Sequence, residues 1–253
     1  KGIVKREVVQ IVTPGTVTAQ SMLSEKENNY LAAIYTDENL PGFSIAYCDI
    51  STGELKVAEY RESNLYETIL NELVKINARE IIVADDFAQA YPIDEIRTIT
   101  EAYINTVTNE FFSQKSCLEA IKAQFNCLST VALGIEEDSI SVLALGALLN
   151  YLLETQKHSL KQITKVITYE MGKQMALDKA PLRNLELTET LYEKKISGSL
   201  LGVLDKTQTA MGSRKMKQWL REPLNNAEEI NLRLDGVEEL YNQLLVKNNL
   251  KES

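Results

Sequence analysis

Apolar residues recur at helical spacing through three successive segments near the C-terminal end of the chain. Leu200, Leu201, Val203 and Leu204 form the first, Met216, Trp219 and Leu220 the second, and Ile230, Leu234, Val237 and Tyr241 the third. Each spacing gathers one apolar stripe on one helix face, so three amphipathic helices are predicted. The connections carry matching punctuation. Pro223 forces the chain out of the second helix, and Asn226 followed by Glu229 supplies an N-cap and N3 pair for the third.

Upstream, the period changes. The runs NYLAAIYTDE and GFSIAYCDISTGELKVAEYR alternate, the second around a turn at Ser51, Thr52 and Gly53, which predicts a three-stranded antiparallel meander. Leu65, Ile69, Leu73 and Ile76 then mark a helix over 65–76, and EIIVADD is a short apolar run suited to a buried strand, with Asp85 and Asp86 at its end. A further strand is expected in TEAYINTVTN, followed by a helix from about Ser113 to Phe125. On that helix Leu118, Ile121 and Phe125 make the inward stripe and leave Lys115, Glu119 and Lys122 outward. A last long helix starts near Asp138 as N-cap and runs to about Gln156, and KQITKV beyond Leu160 reads as a polar linker. At the other end, KREVVQIVTPGTV reads as a strand entering a Pro14-Gly15 turn. A meander followed by alternating helices and strands predicts a mixed sheet with helices packed on it.

Composition adds charge asymmetry to this picture. The net charge of −9 is uneven: residues 1–177 hold 15 Lys or Arg against 24 Asp or Glu, whereas 178–253 hold 12 of each. Binding nucleic acid by counterion release needs clustered cations, so DNA contact by the acidic sheet region is disfavoured. Cys48, Cys117 and Cys127 are widely spaced and fit buried free thiols of a reducing cytosol better than disulfides or zinc ligands. His158 is the single histidine, with no second one to complete a metal pair, and a surface position is expected for it. The longest apolar stretch, 140–153, is short for a membrane span and is interrupted by Ser141 and Asn150. The chain opens at Lys1, and its closing KNNLKES still follows a helical pattern, so a piece of a longer polypeptide is expected.

The ordered run SLLGVLDKTQTAMGSRKMKQWLREPL, with RNLELTETL before it and INLRLDGVEEL after it, closely resembles the beginning of the core, or lever, domain of MutS DNA mismatch-repair proteins. The departures are mild: Pro181 stands where the family usually has Thr, Thr190 where it often has Asn, and Gly236 where Ala is common. Pro181 suits a first helical turn, so only Gly236 weakens a helix. The hairpin Asp49 to Glu54, D-x-S-T-G-E, resembles that of the MutS connector domain, which implies a ribonuclease-H-like fold. The fold expected is therefore an α/β connector domain, a ribonuclease-H-like mixed sheet with flanking helices, followed by an all-α lever or core segment. The implied divisions are 1–17 as tail of a mismatch-recognition domain and linker, 18–160 as connector, 161–170 as linker and 171–253 as the start of the helical core.

The resemblance implies a non-catalytic role: coupling mismatch recognition to an ATPase lying elsewhere in the parent protein, and helping to dock a MutL homologue. Lys115, Glu119 and Lys122 are the candidate partner-binding residues. No cofactor is expected in this chain, ATP and Mg²⁺ belonging to a domain outside it. Mismatched DNA would be reached only through other domains of a cytoplasmic, homodimeric parent without membrane attachment. The residues leave two rivals to this reading. A metal-dependent ribonuclease-H-like nuclease would need convergent carboxylates, with Asp37, Asp49, Asp85 and Asp86 the candidates, but these fall at strand ends and turns. A meiotic homologue lacking the mismatch domain is disfavoured by KREVVQIVTPGT, which resembles the end of such a domain. No G-x-x-x-x-G-K-[S/T] is present, and Met211-Gly212-Ser213-Arg214-Lys215 lacks the glycine spacing that wraps a phosphate. Lys215, Lys217 and Arg221 beside Trp219 read as a solvated face opposite a buried tryptophan.

Overall fold

A computed structural model describes residues 11–17, 27–36, 42–61, 64–156, 160–170, 175 and 179–252. The chain divides into two compact units, Lys1–Met171 and Gly172–Ser253. The strand expected before Ile11, Asp37 and His158 lie outside the described residues.

The first unit is a six-stranded mixed sheet in the order β5-β4-β1-β2-β3-β6. Strands β1 (Tyr30–Thr36), β2 (Phe43–Asp49) and β3 (Glu54–Tyr60) form the antiparallel meander, with Tyr30 opposite Asp49 and Phe43 opposite Tyr60. Gly53 turns the second hairpin at φ +73°, a left-handed conformation that a side chain would resist. Helix α1 (Leu65–Ile76) then carries the chain back to β4 (Glu80–Ala84), parallel to β1, and the short helices α2 (Asp85–Ala90) and α3 (Ile93–Thr100) lead to β5 (Tyr103–Val107), parallel to β4. A 3₁₀ turn at Asn109–Phe112 precedes α4 (Gln114–Phe125), and α5 (Ser141–Gln156) completes the layer.

Alternation along the strands feeds two cores. Ala32, Ile34, Ile45 and Val83 meet Ile69 and Leu73 of α1 and Ile96 of α3 on one face. Leu31, Ala33, Ala46 and Ile82 meet Ile121 of α4 and Leu145, Leu148 and Leu152 of α5 on the other. Because both faces are covered, β2 is buried along its whole length and its sequence is largely apolar; the exceptions, Ser44 and Asp49, are hydrogen-bonded. Helices α4 and α5 approach closely: a Cβ built on Gly146 would stand 2.2 Å from the Cys117 Cβ.

Several expectations are corrected. Helix α5 begins at Ser141, and its cap is not Asp138 but Ser139, whose Oγ accepts from the Ser141 amide at 3.0 Å. Asp85 and Asp86 do not end a strand; they open α2, where carboxylates oppose the positive end of the helix dipole. The stretch 161–170 is not a free linker. Ile163 is buried, Gln124 Nε2 donates to the Leu160 and Ile163 carbonyls at 3.0 and 2.8 Å, and β6 (Ile167–Thr168) pairs in parallel with β3. Tyr169 follows on the opposite face, its hydroxyl donating to Glu72 Oε1 at 2.8 Å. Residues 11–17 hydrogen-bond to this unit, the Ile11 amide to the Thr155 carbonyl and the Gly15 amide to Glu80 Oε2.

The second unit holds α6 (Lys179–Asn184), α7 (Leu200–Leu204), α8 (Ala210–Arg221), α9 (Ala227–Asn242) and α10 (Leu244–Glu252). Pro181 sits in the first turn of α6, where its missing amide costs nothing. Caps define the later helices: Ser199 Oγ accepts from Gly202 N, Thr209 Oγ1 from Gly212 N, and Asn226 Oδ1 from the amides of Glu228 and Glu229. Burial is scarce here. Leu201 and Ser213 are buried in α7 and α8, whereas α9 has no buried residue.

Candidate functional site

Helix α4 is fastened along its inner side. Its Cys117 thiol donates to the Phe111 carbonyl at 3.2 Å, Asn150 Nδ2 of α5 donates to Ser116 Oγ at 3.0 Å, and Gln114 Nε2 donates to the Glu137 carbonyl at 3.1 Å. Cys117, Ala120 and Ile121 are the buried residues, with Leu118 and Phe125 only partly covered. The expected inward stripe is therefore centred one residue away from where large apolar side chains suggest, because Gly146 leaves room for the backbone of Cys117 rather than for a long side chain. On the outer side, Lys115 and Glu119 are exposed as expected. Lys122 is half-buried and bound to Glu137 Oε1 at 2.8 Å, so it is less free than its neighbours. The Lys122 ammonium, and after it the Ser129 hydroxyl, hold the Glu137 carboxyl below the usual carboxylate range. The result is a face of mixed charge, with Lys115 and Glu119 exposed and the Lys122–Glu137 ion pair beside them.

Among the described residues, the acidic candidates Asp49, Asp85 and Asp86 do not converge. Asp49 is fully buried and already occupied, accepting from Asn28 Nδ2 and the Asn29 amide at 3.1 Å, the Ser51 amide at 2.9 Å and Ser51 Oγ at 2.6 Å. Its carboxylate organises the turn. Register separates it from Asp85 and Asp86: Asp49 lies opposite Tyr30, next to Leu31, which aligns with Glu80 at the start of β4, whereas Asp85 follows the far end of that strand. Among the described residues no group of three His, Cys, Asp or Glu could hold a metal ion. Cys48 and Cys117 are buried free thiols, as expected, and Cys127 is half-buried.

In the second unit Trp219 corrects the sequence reading. It is 39% exposed, and the Arg233 guanidinium of α9 stacks 4.1 Å from its ring centroid, so it clips two helices together rather than filling a core. Lys215 donates to Gln218 Oε1 at 3.0 Å, a local contact on the helix surface. The motif residues before α8 act as stitches: Asp205 Oδ1 accepts from the Thr207 amide and hydroxyl at 3.1 and 2.6 Å, and its Oδ2 from Ser213 Oγ. Glu186 Oε1 accepts from the Leu191 amide at 2.7 Å, and the Glu186 and Leu187 carbonyls receive the amides of Leu200 and Leu201. These polar residues hold loops in shape.

One buried cluster was missed from sequence. Glu80, the first residue of β4, is wholly buried and accepts from Tyr151 Oη at 2.7 Å, Gly15 N at 2.9 Å and Asn105 Nδ2 at 3.4 Å. The available signal was a carboxylate heading an otherwise apolar strand.

The first unit is a mixed α/β domain whose helix α4 turns a face of mixed charge to solvent, and the second is an array of capped helices with little burial. Family comparison gives these two units their identity. Residues 29–164 match the model for MutS domain II and residues 180–253 that for MutS domain III. The chain belongs to the MutS family of DNA mismatch-repair proteins. Relatives named DNA mismatch repair protein MutS include that of Alkaliphilus oremlandii, 41% identical over 256 residues, and that of Ruminiclostridium cellulolyticum, 42% identical over 253 residues. The Clostridium perfringens protein of the same name is 42% identical over 256 residues. In each case all of this chain is aligned, and it spans 27–29% of the relative's length. Among the described residues no helix is long and apolar enough to cross a membrane.

Proposed function

We propose that this chain is a non-catalytic segment of a mismatch-repair protein, in which the sheet domain relays position between a mismatch-reading part and an ATPase, while the outer face of α4 docks a MutL homologue. ATP, Mg²⁺ and mismatched DNA are then engaged by parts of the parent outside this chain, in a cytoplasmic homodimer. The observation that carries the reading is the construction of α4: a helix fixed from behind through Ser116 and Cys117 and at its exposed first turn through Gln114, presenting Lys115 and Glu119 to solvent. A rigid face is what a relay requires, since displacement passes through packed elements and is lost in loose ones.

The test is binding of a purified MutL homologue to the chain carrying Lys115→Glu with Glu119→Lys, and to a second variant in which Lys122→Glu is combined with Glu137→Lys to keep the ion pair with exchanged sign. Rim charges act mainly on association, so affinity is expected to fall by about tenfold at low salt and by less at high salt. Unchanged affinity in both variants sinks the docking assignment. A Mg²⁺-dependent cleavage of nucleic acid abolished by Asp49→Asn would replace it with the nuclease reading.

A further inference from the structure

The segment from Ile11 to Val17 is held to the sheet domain in an unusual way. Its turn is locked internally: the Thr13 amide donates to Thr16 Oγ1 at 2.8 Å and the Thr16 amide to the Thr13 carbonyl at 3.0 Å. Outward from that turn, hydrogen bonds supply the attachment. The Ile11 amide donates to the Thr155 carbonyl at 2.7 Å, Gln156 Nε2 to the Thr16 carbonyl at 3.3 Å, and Asn29 Nδ2 to the Pro14 carbonyl at 3.1 Å. The central contact is the Gly15 amide on Glu80 Oε2 at 2.9 Å. Gly15 fits because it lacks a side chain, a Cβ there standing 2.9 Å from both Glu80 Cβ and Leu31 Cδ1. Apolar anchoring is slight, since Ile11 and Val12 are exposed and only Gly15 and Thr16 are buried.

These two facts have opposite energetic consequences. A carboxylate buried among neutral donors needs each of them, and Glu80 draws one from this segment and the others from α5 and β5. Individual hydrogen bonds, however, contribute little net stability, and ordering seven residues costs conformational entropy of comparable size. A segment attached in this way opens by itself, well below global unfolding, because little apolar surface is lost when it leaves. We propose that residues 11–17 are a releasable strap whose catch is Glu80, so that the chain entering the sheet domain is either fixed to β4 and the C-terminal end of α5 or free of them. Closed, the strap ties whatever precedes it to α5, which packs directly on α4. The purpose assigned to the strap rests on the coupling role proposed above, whereas its opening does not.

Amide hydrogen exchange on the 253-residue chain, followed peptide by peptide across a urea series, decides the matter. Protection over 11–17 is expected to be real yet about tenfold or more weaker than over β2, and nearly insensitive to low urea, the mark of a local opening that exposes little surface. Gly15→Ala and Glu80→Gln are each expected to remove that protection while changing 43–49 by less than about twofold. Should Gly15→Ala unfold the domain, Gln156→Ala, which removes the Thr16 carbonyl's donor, carries the same expectation. Protection of 11–17 that rises and falls with β2 in every variant would make the segment an integral part of the core and end the proposal. Absence of protection in the parent chain would end it too. Neither result depends on whether α4 binds a partner.

Discussion

The two units use the same kind of amphipathic pattern to different ends. In the sheet unit, the stripe of α1 and the alternation of β1 and β2 are met by other elements and vanish from the surface. In the helical unit, the equally regular stripe of α9 stays open, with Leu234 58% exposed and Tyr241 77% exposed. An apolar stripe thus says that a face favours cover, and says nothing about which surface supplies it. The sheet unit is held by burial on two faces. Among its described residues, the helical unit is held by caps, carboxylate-centred turns and the Arg233–Trp219 cation–π clip.

The largest expected effect separates these modes of stabilisation directly. Phe43→Ala, at a position without solvent exposure, is expected to destabilise the sheet unit by about 3–5 kcal/mol in urea denaturation, whereas Leu234→Ala should shift stability by less than about 0.5 kcal/mol. Equal losses would erase the contrast.

Alkaline pH gives a second, smaller discriminator. Burial pushes the Cys117 thiol from 9.0 up to about 12, and burial followed by the neighbouring Asp49 charge pushes Cys48 up further. Each folded thiol keeps its proton at pH values where the unfolded one has lost it. Stability from these groups is accordingly intact below pH 9 and declines as pH rises toward 12, by up to about 1.4 kcal/mol per pH unit for each thiol. The decline belongs to the sheet unit, which contains all three cysteines, so tyrosine near-ultraviolet dichroism should report it before the fluorescence of the single tryptophan, Trp219, does. A sheet whose unfolding free energy is level from about pH 8 to 11 would contradict it.

The smallest effect runs the other way. Gly236 lies inside α9 with nothing within 4 Å of the place a Cβ would take. Gly236→Ala is expected to stabilise the helix by about 0.5–1 kcal/mol, read as raised helicity and a higher thermal midpoint. No gain would mean that the glycine has a conformational duty hidden in the resting structure.

Much of the architecture was legible because its determinants are local. The period of α1 gave its limits, the Ser51–Gly53 turn gave the hairpin, and Asn226 and Pro223 marked helix ends through contacts with near neighbours. What escaped was fixed by distant partners. Helices α2 and α3 come from a polar stretch and bury only Phe87 and Ile96. Strand β6 is two residues long and exists through its pairing with β3. Trp219 has the composition of a core residue and the setting of a clip, because Arg233 meets it from another helix. Of the candidate docking face, the exposure of Lys115 and Glu119 followed from helical spacing, but the Glu137 that restrains Lys122 comes from a loop whose position no periodicity encodes.

The pairing of β6 with β3 has a consequence for handling the protein. By laying Ile167 and Thr168 beside Lys56 and Val57, the polypeptide covers the middle of the β3 border of its own sheet. A chain shortened to end at residue 160 would bare the main-chain donors and acceptors along β3 that β6 engages. An uncovered border of that kind invites the same border of a second molecule, so such a truncation is expected to favour edge-to-edge pairing of copies.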